Sequence, residues 1–314
     1  MLRYVLIRLL WMIPIILGVT ILIFSIMYFV PGDPAATILG PSATEIELEA
    51  KREELGLNDS YIVRLVNYIK DVFLRFDFGK SYLTNRSISS ELISRFPRTI
   101  LMCLVCIMIA MLLGVPLGVN AAVHQNGPWD NISMVVALLG VSMPTFWVAL
   151  LLVLVFALRL NWLPNVGYTS IRHYILPCIA NSFSSLAMQA RQTRSSMLEV
   201  IRSDYITTAR AKGLSERKVI FVHTLPNAII PVLTIAGTNF GKMLGGTVVV
   251  ETIFSIPGIG SYMITGVNGR DYPVVQGSVV FLAIAFGLIM LLVDLLYAAV
   301  DPRIKSQYVG KKVK

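Results

Sequence analysis

Three long stretches without a charged residue dominate this chain. Leu9–Val30, Thr99–Val123 and Asn131–Leu158 run for 22, 25 and 28 residues. A helix of about 20 apolar residues spans the roughly 30 Å hydrocarbon core of a bilayer, so each stretch can cross a membrane. Only 14% of the residues are charged and the mean hydropathy is +0.71, which excludes a disordered chain and disfavours a water-soluble enzyme. The sequence therefore predicts an all-α polytopic membrane protein.

Three further apolar stretches bring the predicted number of transmembrane helices to six. They cover residues 173–190, 224–250 and 272–300, and all three contain polar or ionisable side chains. Such side chains usually face protein or a water-filled cavity, because their exposure to lipid is costly. They are candidates for a translocation path: Gln189, Asn239, Lys242 and Asp294. A salt bridge between Lys242 and Asp294 is the alternative to contact with a transported solute.

The distribution of charge predicts the orientation. With the N-terminus inside and six crossings, the inside segments carry 14 basic and five acidic residues, whereas the outside segments balance at 12 of each. The whole net charge of +9 thus falls on one side, as expected when Lys and Arg of short loops face the cytoplasm. This accounts for the basic composition without nucleic acid, and both termini are predicted to be cytoplasmic.

The same topology divides the chain into four parts. Residues 1–30 form the N-terminus and first transmembrane helix, and residues 31–98 an extracytoplasmic helical segment. Residues 99–300 form a five-helix core, and residues 301–314 a cytoplasmic tail. In the extracytoplasmic segment, Thr44 and Glu47 predict a capping box at the start of a helix that Gly56 ends. This segment either packs over the mouth of the bundle or receives a partner protein.

An unusual basic loop, residues 191–223, lies on the predicted inside. Residues 203–212 are typical of one helix, Gly213 breaks it, and Ser215 is placed to cap a second helix that reaches His223. A helix–Gly–helix segment of this kind favours docking of a partner. The alternative is a basic amphipathic loop held against anionic membrane lipid.

Motifs for catalysis or metal binding are absent or incomplete. Gly79-Lys80-Ser81 lacks the first glycine of a phosphate-binding loop, because position 74 is Leu74. Cys103 and Cys106 have metal-ligand spacing but lie in an uncharged span without a second ligand pair. The three cysteines are therefore expected to be buried and reduced, and neither a metal site nor catalytic residues are predicted. Three glycines at intervals of four predict close helix packing in the fifth span: Gly237, Gly241 and Gly245.

The segment Asp204–Pro226 reads DYITTARAKGLSERKVIFVHTLP. It resembles the cytoplasmic loop of bacterial ABC importer permeases, in which Glu-Ala-Ala, three residues, Gly, nine residues and Ile-x-Leu-Pro follow one another. TARAKG with the basic helix after it is similar to the oligopeptide, dipeptide and nickel branch. Several other stretches of the chain are also similar to that branch: PGDPA, LGVSMPTFW, GGTVVVETIF, IPGIG, RDYPVVQG and VDLLYAAVDPR.

This resemblance implies a type I importer permease in the plasma (inner) membrane of a bacterium. Such a permease catalyses no reaction and binds no cofactor. It implies a second, similar permease subunit as partner, with two cytoplasmic ATPases that bind ATP and Mg²⁺ and an extracytoplasmic substrate-binding protein. It also implies that the inside loop couples the ATPases to transport through these residues: Thr207, Thr208, Ala209, Gly213, His223, Leu225 and Pro226.

The expected cargo is a peptide, with glutathione, nickel or a metal chelate as alternatives within the same branch. A passive channel or a secondary carrier is the alternative of another class. That alternative predicts inverted repeats or paired broken helices, and no clear internal repeat is present.

Overall fold

The protein is helical, as a computed structural model shows. It describes the backbone of residues 2–300 and the side chains of residues 5–295; the predicted tail, residues 301–314, lies outside the described residues. Within the described part, the only strand-like pairing is an isolated bridge between Lys80 and Ser87. The helices are α1 (Leu2–Phe29), α2 (Pro34–Leu39), α3 (Glu45–Glu54), α4 (Tyr61–Arg75), α5 (Ile88–Val123), α6 (Pro128–Ser142), α7 (Thr145–Leu152), α8 (Arg172–Ile201), α9 (Asp204–Ala211), α10 (Glu216–Lys218), α11 (Leu225–Ile253), α12 (Ile259–Asn268) and α13 (Tyr272–Val300).

Four helical segments of the described chain are long and apolar enough to cross a membrane. They are Val5–Phe29, Ile88–Val123, Glu216–Ile253 and Tyr272–Leu295. The predicted fourth span lies within α8. This helix is long enough to cross a membrane, but it is too polar to be counted with the other four segments. The structure buries the polar side chains responsible, Asn181, Ser185 and Gln189 among them, inside the protein. The all-α fold is confirmed, and the count of six spans stays a prediction.

The predicted third span is broken into two helices. α6 and α7 meet at an angle of 102°, and the pair counts as a fifth span only if both halves belong to one crossing. The break falls at Met143, whose extended conformation (φ −79°, ψ 125°) is the one that a following proline favours. Pro144 therefore ends α6, although no charge interrupts the stretch.

The described chain packs as two compact units, each with its own hydrophobic core. One comprises residues 100–256 and 289–300, and in it α8 is the central helix, packed against α6, α7 and α11. The other comprises residues 2–99 and 257–288, with a core that includes Phe78, Leu92 and Phe281. These packing units do not test the predicted division of the chain, which is based on the side of the membrane where each segment lies. That division stays a prediction: residues 1–30, 31–98, 99–300 and 301–314.

The predicted capping box at α3 is confirmed. The Thr44 hydroxyl accepts from the Glu47 backbone N–H at 3.4 Å, and the Glu47 carboxylate accepts from the Thr44 backbone N–H at 2.8 Å. The Thr44 backbone N–H, and the Thr44 hydroxyl, which also donates to the Glu47 carboxylate at 2.8 Å, hold the pKa of the Glu47 carboxyl below its ordinary value. Gly56 follows the helix with φ +64°, as expected for a glycine after a helix C-terminus.

Candidate coupling loop and translocation path

The basic loop has the predicted helix–Gly–helix form. Ser203 precedes α9, Gly213 adopts φ +77° after it, and Ser215 precedes α10. Past α10 the chain continues through π-helical turns, Val219–Thr224, into α11 without a break. A left-handed conformation of this kind costs an L-residue with a side chain roughly 1–2 kcal/mol, so glycine suits the turn. An ion pair between Arg210 Nε and Glu216 Oε1, at 2.8 Å, links the two helices across it.

The loop has a small hydrophobic core of its own, formed by Ile206, Ala209 and Val219. Ala209 is only 8% exposed, whereas Thr207 and Thr208 on the same helix are exposed. The predicted coupling residues of α9 thus divide into one packing residue and two surface residues. A bulky side chain at position 209 would disturb this core before it reached any partner.

The last three predicted coupling residues lie where the loop joins α11. His223 is half-buried, and its backbone carbonyl accepts from Asn227 Nδ2 at 2.9 Å. Leu225 and Pro226 begin α11 directly after the π-helical turns, so they lie at the change from π-helical to α-helical geometry.

A buried ion pair ties α6 to α8 in the unit that holds the loop. Asp130 is 1% exposed and accepts from Arg194 Nε at 2.5 Å and Nη2 at 2.7 Å. The backbone N–H of Asn126 donates to the same carboxylate at 2.9 Å. Arg194 lies about two turns before α8 ends and α9 begins. Both residues belong to the segments predicted to lie inside, but no pattern in the sequence indicates that they pair.

Of the candidate path residues, Gln189 is fully buried between helices. In the amide orientation that matches its surroundings, it donates to the Val232 carbonyl at 3.2 Å and accepts from the Ala236 N–H at 3.0 Å, both on α11. Asn239 is 6% exposed, and its Nδ2 has no hydrogen-bond partner among the described residues. These two amides belong to the protein interior of this chain.

The two ionisable candidates are not paired with each other. Lys242 is exposed on α11 and makes no ion pair or hydrogen bond within the described residues. Asp294 is partly buried near the end of α13. The salt bridge considered as an alternative is therefore not formed. Among the three predicted packing glycines, Gly237 and Gly241 are buried, whereas a Cβ at Gly245 would meet no atom within 4 Å.

The closest helix packing occurs at glycines that the sequence analysis did not single out. A Cβ at Gly114 would lie 2.7 Å from the Leu186 carbonyl oxygen, and one at Gly118 would lie 2.5 Å from that of Ala190. Both glycines belong to α5 and face α8. Their spacing of four residues is the small-residue signal for close helix approach in membranes, and could have identified them.

A second buried carboxylate, that of Asp271, accepts hydrogen bonds from residues 81–83 within the unit formed by residues 2–99 and 257–288. Asp271, 3% exposed, accepts from Ser81 Oγ at 2.5 Å, from the Tyr82 N–H at 3.1 Å and from the Leu83 N–H at 3.4 Å. Ser81 thus has a structural role in the segment that only superficially resembled a phosphate-binding loop. The three cysteines are buried and free, as predicted, and no cluster of metal-ligating side chains is found in the part of the chain that the structure describes.

A bundle of apolar spans, with a basic helix–Gly–helix loop leading directly into one of them, defines a transport permease. The chain belongs to the family of binding-protein-dependent transport system inner membrane components, since residues 114–306 match that family and residues 1–103 match its N-terminal part. As a permease subunit of this family it is a non-catalytic, multi-pass membrane protein, and the family implies ATPase and permease partners.

Relatives and solved structures agree with this assignment. The chain is 44% identical to the dipeptide transport system permease protein DppB of Alkalihalophilus pseudofirmus, over 97% of this chain and 100% of that protein. It is 42% identical to the glutathione transport system permease protein GsiC of Escherichia coli K12, over 97% and 99%.

Among solved structures, an inward-facing form of the MetNI methionine ABC transporter has a TM-score of 0.59 at 18% identity, over 67% of this chain and 96% of that one. An amino acid ABC transporter has a TM-score of 0.52 at 16% identity, over 68% and 94%. These likenesses concern the fold, and they agree with the predicted importer permease architecture.

Proposed function

We propose that this chain forms half of the translocation path of an ATP-driven importer of short peptides. Its identity of 44% to a dipeptide permease over nearly its whole length supports this cargo, and the similarity to glutathione permeases favours glutathione, itself a peptide, as the second candidate. The second half of the path belongs to a similar permease subunit. An extracytoplasmic binding protein delivers the cargo, and two cytoplasmic ATPase subunits hold ATP and Mg²⁺.

The observation that carries the mechanism is the division of α9 into a buried and an exposed face. Ile206 and Ala209 fix the helix to the protein, and Thr207 and Thr208 remain exposed for a partner. The loop continues into α11 through π-helical turns without a flexible linker. A displacement of α9 by the ATPases would therefore be transmitted to α11, which gives the two-state element that alternating access requires.

A matched pair of substitutions tests this role. Thr207→Trp places a large side chain on the exposed face, so we expect normal levels of folded protein but at least a tenfold loss of ATP-dependent dipeptide uptake. Ala209→Trp overfills the small core, so we expect less folded protein in the membrane as well. Uptake into proteoliposomes, together with copurification of the ATPase subunits, measures both effects. Wild-type uptake and normal ATPase recruitment by the Thr207→Trp transporter would contradict the docking role.

A further inference from the structure

The exposed side of α11 has an unusual composition for a membrane helix. Between residues 231 and 249, at about 100° per residue, the exposed or half-buried positions 231, 234, 235, 238, 242, 245, 246 and 249 fall within one sector of about 120°. The residues there are Pro231, Thr234, Ile235, Thr238, Lys242, Gly245, Gly246 and Val249. The opposite side of the helix is buried and includes Val232, Met243 and Leu244. Of these eight residues, only Ile235 and Val249 have large apolar side chains, so the sector is poor in the side chains that a lipid-facing surface requires.

Lys242 is the charged residue of this sector. It lies three residues from the midpoint of the 29-residue helix, far from either end. Among the described residues no carboxylate lies within ion-pair distance of its ammonium group. A lysine at the centre of a span costs about 2.5–3.5 kcal/mol by insertion measurements when it faces lipid, so such residues face water or an opposite charge.

The surface beside Lys242 is open. No atom lies within 4 Å of a Cβ built at Gly245 or at Gly246, one turn further along the helix. The nearby hydroxyls of Thr234 and Thr238 donate to backbone carbonyls of their own helix, at 3.1 and 2.9 Å. Within the part of the chain that the structure describes, the ammonium group is therefore a cation without an ion-pair partner, and a strong hydrogen-bond donor, beside space that a small solute can occupy.

We propose that Lys242 binds the carboxylate of the transported solute during its passage, and so favours cargo with a free carboxylate over bare metal cations. This inference rests on the proposed function, because it requires that α11 lines the path. A peptide with a free C-terminus carries the complementary group, and an ammonium–carboxylate contact is a charge-assisted hydrogen bond. The other occupant of such a site, a carboxylate of the second permease subunit, is an outcome of the test.

Chemical restoration of the charge gives a direct test. In the complete transporter, Lys242→Cys removes the cation, and 2-aminoethyl methanethiosulfonate then adds an ammonium group of nearly the same length. Sulfonatoethyl methanethiosulfonate adds a negative charge, and methyl methanethiosulfonate adds no charge. The native cysteines Cys103, Cys106 and Cys178 are buried, so the wild-type transporter treated with each reagent is the background control. Val249→Cys, on the same sector, reports whether reagents reach this face.

The expected uptake of a dipeptide by the Lys242→Cys transporter is about tenfold below wild type in maximal rate, as for the loss of one charge-assisted hydrogen bond. The aminoethyl reagent restores it, and the other two do not. Lys242→Arg retains most of the rate. The half-saturating peptide concentration stays unchanged in every variant, because the binding protein captures the peptide.

Three results would overturn the inference: wild-type uptake by unmodified Lys242→Cys, equal restoration by the uncharged reagent, or no reaction at position 242. Loss of the second permease on purification of Lys242→Cys would instead assign Lys242 to a subunit ion pair, which also overturns it. Failure of the proposed function is distinguishable, since the wild-type transporter would then import no dipeptide in the presence of ATP.

Discussion

At the scale of single residues, the Asp130–Arg194 pair gives the sharpest stability prediction. Asp130 is almost completely buried, and Arg194 is its bidentate partner. Removal of one member of a buried pair leaves an uncompensated charge and typically costs about 3–5 kcal/mol. We therefore expect Arg194→Gln to lower the free energy of unfolding by that order, and Arg194→Gln with Asp130→Asn to recover part of it. Thermal unfolding of the purified protein in detergent measures both.

The exposed ion pair between Arg210 and Glu216 in the basic loop is the matched control for the Asp130–Arg194 pair. Arg210 and Glu216 are 40% and 65% exposed, so their ion pair is worth at most about 1 kcal/mol. Arg210→Gln should change the unfolding temperature far less than Arg194→Gln does. Equal effects of the two substitutions would show that burial does not set the strength of the Asp130–Arg194 contact.

At the scale of helices, the close approach of α5 to α8 depends on Gly118. A Cβ there would lie 2.5 Å from both the Ala190 carbonyl oxygen and the Thr193 Cβ, and backbone atoms cannot yield as a flexible side chain does. We expect Gly118→Ala to cost about 1–3 kcal/mol, the usual range for overfilling a packed site. Gly245→Ala, where nothing lies within 4 Å, should be neutral or stabilise α11 by up to about 1 kcal/mol through helix propensity. A Gly118→Ala protein that unfolds at the wild-type temperature would refute this packing.

The two sets of glycines also show why helix contacts were only partly predictable. Spacing by four indicates a small-residue face in both α5 and α11, but spacing does not say which face meets another helix. The capping box at Thr44 was predictable because all its atoms lie within four residues. Pro144 carried a local signal for a break, yet the apolar stretch around it read as one span. Helix ends can therefore be predicted well from residues close in sequence, whereas contacts between helices can be identified only when the fold is known.

At the scale of the whole molecule, the long-range polar contacts were the least predictable part. Ser81 and Asp271 are 190 residues apart, and neither lies in a pattern that indicates a partner. The basic loop, residues 191–223, was predictable as a helix–Gly–helix segment, because Ser203, Gly213 and Ser215 supply local signals. Its internal core was not, since Ile206 and Val219 come together only after Gly213 reverses the chain. The residues that pack the loop could therefore be separated from those that face outward only in the structure.

The membrane topology is the remaining prediction at this scale, and three exposed positions decide it. With six crossings and cytoplasmic termini, Asp59 and Thr169 lie outside and Lys212 lies inside. If the bent α6–α7 pair is re-entrant and does not cross, residues 124–127 and Thr169 share one side. With Lys212 inside, α8 then does not cross either. Because the native cysteines are buried, single cysteines at the three positions can be labelled selectively in intact cells with a membrane-impermeant maleimide.

We expect Asp59→Cys and Thr169→Cys to react from outside, and Lys212→Cys to react only after the membrane is opened. The decisive position is Thr169, since one crossing by α1 from a cytoplasmic N-terminus places Asp59 outside in either topology. Labelling of Thr169→Cys only from the inside would reduce the spans to four and leave α8 on the cytoplasmic side. The burial of the polar side chains of α8 argues for labelling of Thr169→Cys from outside and thus for a crossing α8. A crossing helix rich in Asn, Ser and Gln needs a protein environment around these side chains.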